Sequence, residues 1–352
     1  MTDYSKVSIS TSEKLSLIGN MATMLTAGIP ILEIVNSLLE DAKGGQKEIL
    51  TALREDITQG RQLSTSFAKF PKVFDKVTVS VIKASEEAGT LETTLKDLKE
   101  NIKKQQEFND KVRSSFLYPG FIGVTFIGVL LLNLLFVIPK IAIVFKNLRV
   151  PLPLPTRILI FLSDIMTKNT IWFLLGLAVF IISIYLLFHF KRNFLLGIIY
   201  SLPIISNMVK LIDLTQFSRS LYLLLYSGLP ITEALELTED VVSVRKMSNV
   251  IKKCQETILS GKKLSEGLRT AKGYIPPIMI KLVEAGEKTG TLDKSMQDIS
   301  EYFDYDVTNT LKNLTTLIEP VMLVLVGIVV GGMMLAIIAP IYGLISQVGA
   351  MR

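Results

Sequence analysis

Amphipathic, charge-rich sequence fills residues 1 to 119, and then a run without a single charge, Gly120 to Ile138, breaks the pattern. A second such run covers Ile171 to Phe188, and a third extends from about Pro320 to Ile341. Each is long enough to cross a bilayer core, which takes roughly 20 apolar residues, so three transmembrane helices are expected. Before the first run, Ser10-Thr11-Ser12-Glu13 has the spacing of a capping box and should open a helix. Gly28 should close that helix, because glycine accepts the left-handed conformation of a helix end, and Pro30 suits the first turn of the next. Ile31, Ile34, Val35 and Leu38 then share one face. Gly44-Gly45 reads as a turn and Gly60 as the end of a third helix. Pro71 separates a short fourth helix from a fifth that ends at Gly89, and a long sixth leads toward the membrane. No stretch alternates with period two for long enough to argue a sheet. The expected fold is therefore an all-α membrane protein, with two helical-bundle domains and three transmembrane helices.

The second domain is a copy of the first. Ala27-Gly28-Ile29-Pro30 matches Ser227-Gly228-Leu229-Pro230, Leu63-Ser64 matches Leu264-Ser265, and Gly89-Thr90-Leu91 matches Gly290-Thr291-Leu292. The offset begins at 200 and settles at 201, and Pro119 aligns with Pro320 at the mouths of the first and last apolar runs. A period this long marks a duplicated domain rather than a solenoid. Leu91, Leu95, Leu98 and Ile102 form a seam with heptad-like steps, and Leu292, Met296, Ile299 and Phe303 repeat it. The seam reads as domain core, with pairing to the other domain or another protomer as the alternative. The layout is then a first domain at 1–119, a span at 120–138, a basic loop at 139–169 and a span at 170–188. A second domain at 189–319, a span at 320–341 and a tail at 342–352 follow.

Charge narrows the function. The chain carries a formal +6, yet residues 1–119 hold 16 basic and 16 acidic residues and residues 189–319 hold 16 and 15. The excess lies in the loop, where Lys140, Lys146, Arg149, Arg157 and Lys168 face only Asp164. Neither domain presents the basic stripe that nucleic acid requires, so no nucleic-acid partner is expected. There is no phosphate-loop motif, and one His and one Cys cannot build a His/Cys zinc site or a serine-protease triad. No catalytic residue, cofactor or metal is expected. Glu86-Glu87 and Glu284 with Glu287 are the best carboxylates for a metal, and solvated charge is their simpler reading. Cys254 reads as a structural thiol, and His189, beside Lys191 and Arg192, as an interfacial residue.

Two domains on one side of a membrane need an even number of crossings between them. The first two spans supply these, and the third carries the C-terminus across. Flanking positive charge is nearly balanced, seven residues against six. The start of the chain shows no apolar signal segment, and 119 polar residues precede the first span. Both domains are therefore expected in the cytoplasm and the tail in the periplasm. Gly327 and Gly331, with Gly332 and Ala336, put small residues along the third span, where helices pack closely in lipid. The match is also of a kind that arises by chance. Asn133 is a candidate for a hydrogen bond to another helix or for the outer interface.

Glu-x-x-Gly-Thr-Leu late in each domain, as Glu86-Glu87-Ala88-Gly89-Thr90-Leu91 and Glu287-Lys288-Thr289-Gly290-Thr291-Leu292, joins the Gly-hydrophobic-Pro turns, Tyr118-Pro119 and Glu319-Pro320. Leu152-Pro153-Leu154-Pro155-Thr156-Arg157 and Leu202-Pro203 punctuate the middle. This order resembles the inner-membrane platform family of type II secretion (GspF) and type IV pili (PilC), over nearly the whole chain. The first copy departs in reading Ala-Ser-Glu-Glu-Ala-Gly where the second has Ala-Gly-Glu-Lys-Thr-Gly, and the shortness of the chain looks like the bundle-forming, type IVb branch. The resemblance implies a non-enzymatic platform that binds a cytoplasmic hexameric assembly ATPase, pilin or pseudopilin, and other inner-membrane components, as a homo-oligomer in lipid. A small transporter or channel is the alternative, although the spans carry no ionisable group. Gly28, Pro30, Gly89, Pro119, Gly228, Pro230, Gly290 and Pro320 are expected to set the turns. Glu86 and Glu287 sit near helix C-termini, where a carboxylate opposes the helix dipole. Their recurrence points to partner binding, and their charge reversal is expected to leave the fold intact.

Overall fold

The computed structural model describes residues 4–148, 154–168, 175, 183, 203–271 and 273–350. Every element among them is helical. In the first repeat these are α1 (Thr11–Thr26), α2 (Ile31–Asp41), α3 (Gly44–Thr58), α4 (Leu63–Phe67), α5 (Lys76–Ala88) and α6 (Leu91–Ser115). After them come α7 (Leu117–Leu132), a π-helical turn (Asn133–Val137), α8 (Ile138–Leu148) and α9 (Leu154–Lys168). The second repeat comprises α10 (Pro203–Tyr226), α11 (Ile231–Glu239), α12 (Arg245–Leu259), α13 (Leu264–Arg269), α14 (Pro277–Thr289) and α15 (Leu292–Ala350). Residues 1–111 and 206–308, which hold both repeats, form one compact unit, and residues 112–205 with 309–352 form another.

Local signals set the helix ends. Ser10 Oγ accepts from Glu13 N–H, and the Glu13 carboxylate accepts from Ser10 N–H at 2.7 Å, which completes the capping box. Gly28 and Gly228 have φ of 79° and 83°. At these values the next residue's N–H reaches back over the last turn, Ile29 to Met24 O and Leu229 to Leu224 O, both at 3.1 Å. Gly89 and Gly290 repeat this closure at φ 69° and 72°. Pro30 and Pro230 stand one position earlier than expected, as N-caps whose carbonyls accept from Ile34 and Ala234. The aligned prolines at the apolar runs differ. Pro119 lies in the first turn of α7, where no N–H is needed, whereas Pro320 interrupts the ladder inside the continuous α15.

The core of the first unit follows the sequence seam. Leu95, Leu98 and Ile102 are buried, as are Met296, Ile299 and Phe303 in the copy. Leu17, Ile18, Ile34, Phe67 and Phe74, and Leu214, Phe217 and Leu268, are buried in the same unit. Cys254 is fully buried, and burial pushes its thiol up to about 12.

In the second unit, the region expected as a basic loop is largely helical. Residues 149–153 lie outside the described residues, and α8 and α9 on either side pack against each other. Leu134, Ile138 and Met166 form a small core there with Leu130, Leu131, Leu159 and Ile160 at its edge. The π-helical turn shifts the hydrogen-bond ladder, and Ser163 Oγ, buried on α9, donates to Leu134 O at 2.7 Å. The Asn133 amide donates to Val129 O in its own helix.

Two helical stretches are long and apolar enough to span a membrane, Leu91–Val144 and Leu292–Leu335. Their apolar portions expose large side chains, such as Phe121, Ile127, Leu323 and Ile328. Such exposure is costly in water and favourable in lipid. The expected second span, Ile171 to Phe188, lies outside the described residues except for Leu175 and Ser183. His189, Lys191 and Arg192 lie outside them too.

Candidate functional site

Glu86 and Glu287 occupy the same place in the two repeats, half-buried in the last turn of α5 and of α14. The Glu86 carboxylate reaches across to the start of α4. One oxygen accepts from Leu63 N–H, and the other accepts from Ser64 N–H at 2.9 Å. Glu287 accepts from Ser265 N–H at 3.2 Å and from Ser265 Oγ at 2.6 Å, at the start of α13. Both short helices lack a side-chain cap of their own. Their unpaired first-turn N–H groups are therefore closed by a carboxylate some 22 residues away. The negative charge that is unfavourable at the end of α5 and α14 is favourable at the start of α4 and α13.

This contact changes the reading of the two glutamates. The sequence suggested carboxylates held out for a partner, and the structure gives each one a partner inside its own repeat. Leu63 and Ser64 N–H are the donors in the first repeat and Ser265 N–H and Oγ in the second, so the recurring Leu-Ser pair and the recurring glutamate are halves of one device. Glu284 differs again, forming ion pairs with Lys288 and Arg269 that hold its carboxyl below the usual range. Among the described residues no cluster of His, Cys, Asp and Glu is arranged to hold a metal.

Charged residues that sequence reasoning missed cross-link the helices of this unit. Asp213 is fully buried on α10, and its carboxylate accepts from Ser243 and Val244 N–H at 2.9 and 2.8 Å, closing the start of α12. Burial pushes its pKa up against those two bonds. Asp56 accepts from Ser66 Oγ at 2.7 Å and pairs with Lys69 and Arg61; burial pushes its pKa up, and the two cations with the one hydroxyl outweigh it and hold the pKa down. Arg219, 8% exposed, joins the repeats. It donates to Gln105 on α6 and to Asp304 on α15, both at 3.0 Å, and its guanidinium lies 5.9 Å from the Phe108 ring centroid. Lys76–Asp240 and Lys104–Glu301 span the same seam at the surface. The available signal was a lone Asp and a lone Arg among buried positions of α10 that otherwise carry apolar or hydroxyl side chains, where the aligned residue for Arg219 is Gly19.

Glycines also set close contacts. A Cβ on Gly267 would lie 2.8 Å from Cys254 Cα, so α12 and α13 approach through a bare backbone. Gly327, Gly331 and Gly332 differ from it, as a Cβ there would meet nothing within 4 Å among the described residues. Ala336 is helical, and its side chain lies outside the described residues.

The unit is thus built from capped and cross-linked helices in two copies. The model of the family described as type II secretion system (T2SS), protein F, matches residues 17–139 and again 217–340. The chain belongs to this family. The two matches begin at corresponding places, and each protein F segment includes its Gly-Pro turn, its capping glutamate and the opening of its apolar run. A type IV pilus assembly protein PilC of Thermus thermophilus is 30% identical over 331 residues, covering 93% of this chain and 81% of that protein. The PilC of Pseudomonas aeruginosa is 26% identical over 333 residues, 94% of this chain and 89% of its own length. The type II secretion system protein F of the same species is 28% identical over 338 residues, 94% and 82% of the two chains. As a member of the protein F family, the chain is an all-α membrane protein with a duplicated domain.

Proposed function

We propose that the chain is a non-enzymatic platform of the bacterial inner membrane for type IV pilus biogenesis or type II secretion. It couples a cytoplasmic hexameric assembly ATPase to pilin or pseudopilin subunits in the membrane, together with other inner-membrane components. One observation carries this reading: the family match recurs in both repeats, and the relatives over nearly the whole chain are named for those two machines. The framework of capped helices supports it physically, since a rigid body can pass motion between partners without chemistry of its own. The full-length protein, purified in mild detergent from its native cell, is expected to bring down an ATPase and a prepilin-like protein. The particle mass should indicate more than one copy, with Gly327, Gly331, Gly332 and Ala336 as the candidate seam. Recovery of the protein with neither partner sinks the proposal.

In the proposed topology, residues 1–119 and 189–319 face the cytoplasm, and residues 139–169 and 342–352 face the periplasm. Single cysteines in a Cys254→Ser background test this with a membrane-impermeant thiol reagent on intact cells. Arg149→Cys and Arg352→Cys should label, whereas Lys43→Cys, Lys69→Cys and Lys262→Cys should not, and the opposite pattern inverts the protein. Wild-type Cys254 should stay unlabelled even in lysed cells, because it is buried and its thiolate is disfavoured.

A further inference from the structure

A half-open cavity of about 370 Å³ lies in the first unit, between the two repeats. That size is within the range of small-molecule sites. Its first-repeat wall contains Lys14 on α1 and Lys72 just before α5, and its second-repeat wall contains Arg219 and Gln216 on α10. Asp75 is the one carboxylate in the lining, and it is engaged in capping α5 through Thr78 N–H at 2.7 Å. Arg219 is already paired with Asp304, so Lys14 and Lys72 are the two lining cations that face the space without an ion pair among the described residues.

Two further features favour negative charge. The N-terminal ends of α1 and α5, helices of 16 and 13 residues, both open on the cavity through Ser10, Thr11 and Thr78. Their dipoles favour an anion there, and the carboxylates of Glu13 and Asp75 already offset part of that potential. Lys14 is half-buried and forms no ion pair or hydrogen bond among the described residues, and its ammonium lies 5.5 Å from the Phe74 ring centroid. Desolvation lowers its pKa although Asp75 works the other way. The carboxylate beside this partly desolvated cation, Asp75, is already engaged as the cap of α5, which leaves room for a second anion. The remaining polar groups have both donors and acceptors. Among the described residues the Gln216 carboxamide and Asn109 Nδ2 have no partner, and Asn109 Oδ1 accepts from Gln105.

We propose that this cavity binds a small phosphate-bearing ligand, its phosphate held by Lys14 and Lys72 at the ends of α1 and α5 and its remainder by Asn109 and Gln216. The site takes walls from both repeats, so an occupant fastens one to the other beside Arg219. Ligand level thereby sets how firmly the two copies move as one body. This inference stands apart from the identity of the platform's protein partners.

Binding is measured on the full-length protein in detergent by calorimetry and by melting, with inorganic phosphate and GMP as probes. Both should bind saturably and raise the melting temperature. Lys14→Gln and Lys72→Gln should each weaken binding at least about tenfold, the loss expected for one charge-assisted phosphate contact. Among the described residues neither lysine makes an ion pair, so ligand-free melting should stay near wild type, and Lys43→Gln, outside the cavity, should bind normally. GMP binding at least about tenfold tighter than phosphate identifies an organic phosphate ester as the resident, and equal binding identifies free phosphate. Absence of saturable binding by either probe, or equal binding in Lys14→Gln, Lys72→Gln and Lys43→Gln, overturns the site.

Discussion

Changing Glu86 and Glu287 together to lysine lowers the melting temperature by roughly 10 °C, although both lie near helix ends at the half-exposed edge of the unit. Each carboxylate accepts two hydrogen bonds at the start of a neighbouring short helix. Hydrogen bonds to charged groups contribute about 1.5 to 3 kcal/mol, which partial exposure to water reduces here, so about 2 kcal/mol is expected for each site. Lysine also sets a cation against the positive end of α4 or α13, adding a few tenths of a kcal/mol or more. Glutamine keeps an acceptor and loses the charge, so the Glu86→Gln, Glu287→Gln variant should fall by roughly half as much. Circular dichroism melts of the purified protein decide the matter, and a lysine double variant that melts like wild type refutes the capping role. The same logic chooses the variants for partner studies. Loss of a partner in the lysine variants follows from loosened helices, whereas loss in a glutamine variant that still melts high reports on the surface itself.

Gly267→Val is expected to be the most damaging single change in the second repeat. The first atom of any side chain at this position meets Cys254 Cα at 2.8 Å and Cys254 Sγ at 3.1 Å. The nearer neighbour is backbone, which cannot rotate away, so α12 and α13 must separate. Forced over-packing of this kind costs about 1 to 3 kcal/mol for alanine, and valine adds two further methyl groups in the same contact. Cys254→Ala relieves the contact to sulfur and leaves the one to Cα, so it should rescue Gly267→Val only in part. Reaction of Cys254 with a thiol reagent gives a second readout. It should be slow in the native protein and many-fold faster in Gly267→Val, as the separated helices admit water. Unchanged melting and unchanged thiol reactivity together exclude the close approach. The aligned position in the first repeat is Ser66, whose hydroxyl donates to Asp56, so the two copies fill the same place by different means.

The sequence by itself determined the duplication, the helical class and most helix ends, because those depend on groups a few residues apart. Gly28 and Gly89 mark their helix ends wherever they pack, since the left-handed turn they adopt costs other residues more. Ser10 and Glu13 are within one turn of each other, so their spacing is sufficient to announce a cap. The charge-free runs at Gly120–Ile138 and Pro320–Ile341 fix candidate spans by length alone. Tertiary structure alone decided what the charged residues do. Glu86 looked unfavourable on its own helix, and only the fold brings Leu63 and Ser64 to it from the preceding short helix. Asp213 and Arg219 are buried on α10 for reasons that lie on α12, α6 and α15. The π-helical turn and the packing of α8 on α9 likewise replaced an expected loop, because Leu134, Ile138 and Met166 meet only after the chain has turned back. A side chain's local sequence states its charge and size, but which unpaired group it meets is set by helices brought together from far along the chain.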